Sequence, residues 1–367
     1  MGESDRPVKT IVVLYNVTAA SPVKGEACDS VSEAEVVEVA NSVAAALRQA
    51  GHRNVETYGL TPDIGAFLAM LDRVKPDVVF NLAEGIGGDE HHEPLVTALL
   101  DFRGIPYTGG GTRALTDSND KFRAKQILSA ERIPVPDSFV VRSIADLRGL
   151  DIYFPVIVKP VNENASLGIT PKSVVHTPEA LVEPVAHVLE KYHQPALVER
   201  YIEGREFNIS VVGNQDPWVL PVAEIDYTQL PAGYPKILFY EAKWIEDSPL
   251  YLKTPAVCPA RNVSARLAER LEDVSRRAYR ALGCTGYARV DIRVSRAGRP
   301  YIIEVNCNPS LSPEAGFARS ARHAGLEYPS LVDRIVGLAL ERFSSRGRAV
   351  SHEAATGEGI LQNCESI

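Results

Sequence analysis

Cysteine is scarce in this chain of 367 residues. The five present, Cys28, Cys258, Cys284, Cys307 and Cys364, form no CxxC pair and no grouping with histidine. That usage argues against both a zinc site and a disulfide framework and suits a reducing cytoplasm. No run of about 18 apolar residues could span a bilayer, and the opening "MGESDRPVKT" has no apolar signal core. Membrane partners are therefore not expected. Basic residues are also in deficit: 39 Lys and Arg stand against 47 Asp and Glu, a formal charge of -8. A broad basic face for nucleic acid is excluded on that balance. The phosphate-binding patterns GxGxxG and GxxxxGK[ST] are absent, and "YTGGGTRAL" reads as an ordinary turn. There is no internal repeat, and no constellation supports a serine or cysteine nucleophile.

What is present is alternation of strands and helices. "TIVVLY" is a β-rich apolar run, and "VSEAEVVEVANSVAAALRQAGH" then places apolar residues at helical spacing. The same pairing recurs through "NVETYGL", "IGAFLAMLDRVKP", "DVVFNLAEG", "EPLVTALLDFRG" and "IPYTGG". This predicts an α/β domain with a parallel sheet over residues 1–112. "TDSNDKFRAKQILSAERI" reads as one helix ended by the prolines of "PVPDSFVV". A central lobe is expected over 113–198 and a C-terminal lobe over 199–343, both α+β in character. The small, polar segment 344–367 is expected to be disordered. "YARVDIRVS", "RAGRP" and "YIIEVNC" predict a hairpin with Gly298 in its turn.

In such a hairpin Asp291, Glu304 and Asn306 can share one face, offering the hard oxygen ligands that Mg²⁺ takes when phosphates complete its shell. They could equally be solvated charges, with Arg289 and Asp291 forming a plain ion pair. Lys159 closes the apolar run "FPVIVK", where a lysine is costly unless its ammonium meets an anion. Lys121 falls early in a helix, where it can meet a phosphate. "ERYIEGRE", with Glu199 and Glu206, could hold a purine and a ribose or be a surface hairpin. "NENASLGI", residues 162–169, could bring backbone N–H groups to phosphate. His91 and His92 lie among carboxylates in "GGDEHHEP" without the i, i+4 spacing of a helical metal pair. Cys307 is expected to face into packing.

Taken in order, "NDKFRAK", "FPVIVKP", "LVERYIEGREFNISVV", "FYEAKW", "GYARVDIRV" and "YIIEVNCNPSLSP" resemble the ATP-grasp superfamily, in its D-alanine:D-alanine ligase-like branch. The resemblance covers roughly residues 8–343. It implies three lobes, with ATP gripped between two antiparallel sheets and two Mg²⁺ ions at the triphosphate, Mn²⁺ being a potential substitute. By the same resemblance Lys121 and Lys159 meet phosphates, and Ser166 lies at the nucleotide. Glu199, Tyr201 and Ile202 surround the base, and Glu206 takes the ribose. Lys243 approaches the γ-phosphate from a mobile loop spanning about residues 227–255. Asp291, Glu304 and Asn306 hold magnesium, while Arg289 stabilises charge at the reacting carbonyl and Ser310 stands beside it. The implied partners are a small-molecule carboxylate and an amine, and homodimers are common in the family.

Departures from the family concentrate at the substrate end. A serine that bonds a loop tyrosine and an N-terminal glutamate is here Ala165, the tyrosine is Trp244, and the glutamate is either Glu33 or Glu35. The family's His-Gly is Glu84-Gly85, Pro-Gly-Met-Thr is Pro309-Ser310-Leu311-Ser312, and the Ser-Leu pair that receives a carboxylate is Ala315-Gly316. A site whose hydrogen-bonding groups have been lost discriminates strongly. The leading expectation is thus an ATP-dependent carboxylate-amine ligase acting on something other than D-alanine, as tailoring ligases do. The alternatives are a D-alanine:D-alanine ligase and a nucleotide-binding protein without catalysis.

Overall fold

The computed structural model describes residues 9–17, 25, 30–245 and 247–361, with 30–34 and 346–361 described as backbone only. In the N-terminal lobe the strand Thr10–Asn16 lies between Asn54–Leu60 and Val78–Asn81, all parallel. Ile11, Val12, Val13 and Leu14 are all fully buried, as a strand covered on both faces requires. The helix Ser30–Gln49 covers one face, and Ile64–Val74 and Glu93–Phe102 help cover the other. "IPYTGG" contributes a single bridge, Val79 to Tyr107, rather than a strand.

The helix expected across residues 116–133 is two helices, Thr112–Asn119 and Lys121–Ala130. Asp120 separates them with extended backbone (ψ 100°), and its side chain accepts from the Arg123 N–H, a capping arrangement that restarts the helix. Lys121 thereby becomes the first residue of the second helix. The central sheet is antiparallel, in the order Ser138–Val141, Ala196–Arg200, Val156–Pro160, Val174–Val175.

The C-terminal sheet runs Ala256–Val257, Ala223–Ile225, Gly204–Gly213, Gly286–Ser295, Pro300–Asn306, with Trp218–Val219 pairing at its side. Its back is packed by the helix Ala265–Ala281. The last two strands form the expected hairpin, turning at Gly298 (φ +74°). Asp291 stands opposite Glu304, and Arg289 opposite Asn306. The register slips after Asp291, because Ile292 pairs with Ile302 and leaves Ile303 as a one-residue bulge. The Ile303 carbonyl accepts from the Lys125 ammonium at 2.9 Å.

Gly204 joins the central and C-terminal lobes. A Cβ there would lie 1.9 Å from the Val294 oxygen at a φ of +153°, so only glycine fits. The segment expected as a loop from about residue 227 to 255 contains a one-turn helix, Tyr240–Trp244. Ile237, Phe239, Ala242 and Leu250 pack on Ile157 and Tyr201, seating the loop on a face of the central sheet. The final helix runs Tyr328–Leu361 and packs on Ser30–Gln49. Most of the expected tail lies outside the described side chains, as do Glu33, Cys28 and Cys364. No helix among the described residues is long and apolar enough to cross a membrane.

Candidate active site

A cavity of about 1130 Å³ opens where the three lobes meet. Glu84, Ala165, Lys243, Trp244, Arg289, Glu304, Asn306, Ser310, Ala315 and Gly316 all line it, gathered from every part of the chain. Glu35 lines it too, so of the two glutamates considered near the N-terminus this is the one whose described side chain faces the cavity.

At the floor, Arg289 donates to both oxygens of Asp291, at 2.8 and 2.9 Å. Asp291 also accepts from the Asn208 amide at 2.7 Å. The ion pair anticipated as an alternative therefore exists, and it aims a half-buried guanidinium along the face that carries Glu304 and Asn306. Lys243 sits over the Trp244 ring at 5.2 Å, with no carboxylate of the described residues bonded to it. Burial and the Arg289 charge lower its pKa.

Behind the cavity buried ion pairs join the helix Lys121–Ala130 to both antiparallel sheets and neighbouring strands within each sheet. Lys121 lies 2.8 Å from Glu304 and donates to the Glu163 backbone oxygen. Burial opposes the charge of Glu304, but Lys121 outweighs it and holds that carboxyl below the ordinary glutamate range. Glu199, 2 % exposed, is shared by Lys125 at 2.8 Å and Lys159 at 3.0 Å. Here too the lysines overcome burial and keep the carboxyl ionised. Burial pulls Lys125 down to about 8. Lys159 has thus met an anion, as its position demanded, and that anion is a protein carboxylate.

Glu206 accepts from Arg293 at 2.7 Å and from the Tyr227 hydroxyl at 2.9 Å. Arg293, 4 % exposed, also donates to the carbonyls of Ile202 (2.6 Å) and Lys236 (2.8 Å), and stacks 4.9 Å above the Tyr201 ring. One guanidinium so ties the interlobe hinge to the loop above it. Lys121, Lys159, Glu199, Tyr201, Ile202, Glu206 and Asp291 are buried and do not line the cavity, and neither does the half-buried Ser166.

The loops over the cavity are clasped. Trp244 donates its indole N–H to the Ala165 carbonyl at 2.8 Å, and Ser166 donates to the Leu238 carbonyl at 2.8 Å. Ala165 and Ser166 both hold positive φ, 54° and 64°, a conformation that costs non-glycine residues energy and persists only when surroundings impose it. Also lining the cavity is Glu84, whose N–H is anchored by the Asn16 side chain at 3.1 Å. A Cβ at Gly85 would come within 2.5 Å of the Asp89 oxygen, which requires glycine beside Glu84. The Glu84 side chain is exposed to the cavity solvent, with the cavity walls around it. That enclosure, with Glu93 nearby, pushes its pKa up to about 7.

Asp291, Glu304 and Asn306 present two carboxylates and an amide oxygen on one face. This hard-oxygen set suits Mg²⁺ when phosphate oxygens complete the shell. His91 bonds Asp89 and His92 bonds the Ile86 carbonyl. No group of three His, Cys, Asp or Glu that could hold a metal occurs among the described residues. Cys307 is 1 % exposed and packs 3.1 Å from Cys284. Sequence reading missed Lys125 and Arg293. Lys125 follows Lys121 by one helical turn, and Arg293 continues the alternation of Arg289 and Asp291, so both carried a periodicity signal.

Two antiparallel sheets closing on buried lysines and carboxylates, beside a cavity floored by Arg289 and Glu304, define a ligase of the ATP-grasp class. Residues 143–337 match the family described as D-ala D-ala ligase C-terminus. A D-alanine–D-alanine ligase from Chromohalobacter salexigens is 33 % identical over 274 residues, covering 74 % of this chain and 80 % of that one. An uncharacterized protein, y4sG, from Sinorhizobium fredii is 35 % identical over 316 residues, covering 84 % and 89 %. The crystal structure of the D-alanine–D-alanine ligase from Bacillus anthracis complexed with ATP superposes with a TM-score of 0.68 at 24 % identity, covering 92 % of this chain and 99 % of that one. The chain belongs to the D-alanine–D-alanine ligase-like family, and it is an ATP-dependent ligase that forms carbon–nitrogen bonds.

Proposed function

We propose that the enzyme joins a small-molecule carboxylate to an amine through an acyl phosphate, and that its substrate pair is not two molecules of D-alanine. A carboxylate cannot release oxygen to an amine directly, so its oxygen first attacks the γ-phosphorus of ATP and ADP departs. The amine then attacks the activated carbonyl carbon, the carbon–nitrogen bond forms, and the bond to phosphate breaks. Lys243 and Lys121 offset charge on the transferring phosphoryl group. Arg289, pre-aimed by Asp291, stabilises the oxyanion. Glu199 keeps Lys159 positioned beneath the phosphates, while Tyr201, Ile202 and Glu206 border base and ribose. Two Mg²⁺ ions on Asp291, Glu304 and Asn306 would neutralise phosphate charge. The Trp244–Ala165 clasp excludes water from an intermediate that water would destroy.

The observation that carries the substrate reading is that clasp. An indole N–H and a backbone carbonyl occupy positions that the sequence comparison assigned to a tyrosine and a serine, so no hydroxyl relay can form there. Ala315 and Gly316 likewise supply no side-chain donor for a carboxylate. A second reading, D-alanine–D-alanine ligation itself, is favoured by the names of several relatives at about one-third identity. Incubating the protein with Mg²⁺, ATP and a pool of amino acids including D-alanine, and weighing the products, separates the two. A different amide with ADP supports the proposal; D-alanyl-D-alanine as the main product overturns it.

A further inference from the structure

The ligase reaction leaves one requirement unassigned. An amine arrives protonated near neutral pH, and the nitrogen must lose that proton before its electron pair can reach the acyl carbon. The clasp between Trp244 and Ala165 offers no hydroxyl to take it. Resting on the ligase reading above, we propose that Glu84 is the general base that accepts the proton of the incoming amine.

The argument is geometric first. Glu84 follows the buried strand Val78–Asn81, and it shares the cavity wall with Lys243, Arg289, Glu304 and Asn306, the groups at the reacting end. Its backbone is fixed by Asn16 and by the close approach at Gly85, whereas no hydrogen bond or ion pair from the described residues engages its carboxylate. Glu35 also lines the cavity, on the N-terminal helix, whereas three other carboxylates nearby are committed or misplaced. Glu93 does not line the cavity and accepts from Asn119 (2.6 Å) and Asn308 (3.1 Å). Glu90 accepts from the Asn164 N–H at 3.0 Å, and Glu304 lies against Lys121.

The charged groups facing Glu84 are Glu93, Glu35 and Glu90, which disfavour its anion, and Lys243 and Arg289, which favour it. Partial enclosure by the cavity walls adds to the first set and raises the carboxyl toward the working pH of a proton acceptor, while the side chain stays open to cavity solvent. The step balances: the ammonium proton passes to the carboxylate, the nitrogen pair forms the new bond, the departing phosphate carries away the electrons of the broken one and the second proton that the nitrogen sheds as the amide forms, and Glu84 later returns the first proton to water.

The test compares wild type with Glu84→Gln, using whichever amino acids from the pool turn over, and hydroxylamine as a small nucleophile largely unprotonated at neutral pH. The variant is expected to lose about 100-fold or more in kcat for the protonated amine, to lose the acid limb of the pH profile, and to regain product as a hydroxamate when hydroxylamine is supplied. A variant that keeps kcat and its acid limb, raising only KM, makes Glu84 a binding group and overturns the proposal. Failure of hydroxylamine to restore product overturns it as well. A wild-type enzyme that yields neither amide nor hydroxamate removes the ligase reading itself. Carbon-13 titration of the glutamate carboxyls gives a readout free of turnover: a Glu84 signal, identified by its loss in Glu84→Gln, that titrates like an ordinary surface glutamate also overturns the assignment.

Discussion

Trp244 and Ala165, 79 positions apart in sequence, are joined by a hydrogen bond of 2.8 Å from indole to backbone carbonyl across the mouth of the cavity. Trp244→Phe keeps the ring and removes the donor, at a cost of about 1 kcal/mol to the closed form. More ADP than amide is then expected, because water enters while the acyl phosphate is waiting. The ratio of ADP to product, near one in the wild type, reads this directly; an unchanged ratio means closure does not depend on the clasp.

Arg289 supports a second expectation. Replacing it with Ala removes a preorganised donor at the developing oxyanion, worth about 3 to 4 kcal/mol of barrier. We expect kcat to fall by two to three orders of magnitude while ATP still binds. Calorimetric titration with ATP alongside steady-state rates separates the two, and equal losses in both would assign Arg289 to nucleotide binding.

Arg293→Met leaves Glu206 and the carbonyls of Ile202 and Lys236 without their shared donor. Removing one partner of a buried ion pair costs on the order of 3–5 kcal/mol. A clear drop in Tm is expected, together with weaker ATP binding because the hinge loosens. A variant as stable as the wild type would show that these groups find water instead.

Glu93, 3 % exposed, has its carboxyl pushed up to about 7 by burial, against hydrogen bonds from Asn119 and Asn308. The folded chain then holds this proton more tightly than the unfolded one. Its contribution is complete below about pH 4.5 and is lost as pH rises through about 7, on the order of 3 kcal/mol. Denaturant midpoints should therefore fall more steeply between pH 5 and 8 for the wild type than for Glu93→Gln. Parallel slopes would contradict the assignment.

Much of this was legible beforehand because it is periodic. Alternation exposed the hairpin and the shared face of Asp291 and Glu304, and helical spacing exposed the layers of the N-terminal lobe. The break at Asp120 was hidden because an aspartate inside a polar stretch looks the same whether it lies mid-helix or caps a new one. Glu199 was read as facing a ligand, and nothing local indicates that two lysines from separate elements converge on it. The one-turn helix Tyr240–Trp244 is likewise a product of packing on Tyr201 and Ile157 rather than of propensity.

The bulge at Ile303 has a larger effect than its size suggests. Pro300 and Ile302 point into the core, and unbroken alternation from them would send Glu304 and Asn306 inward as well. The extra residue inverts the phase, so that Val305 takes the inner side and both oxygen-bearing side chains emerge on the outer one. The position of this chemistry is thus set by a count of residues as much as by their kind. Deleting Ile303 alone would close the bulge and leave Ile302 inward and Glu304 outward opposite Asp291, losing only the carbonyl that receives Lys125; straightening the strand with Ile303 retained is what would turn the carboxylate inward.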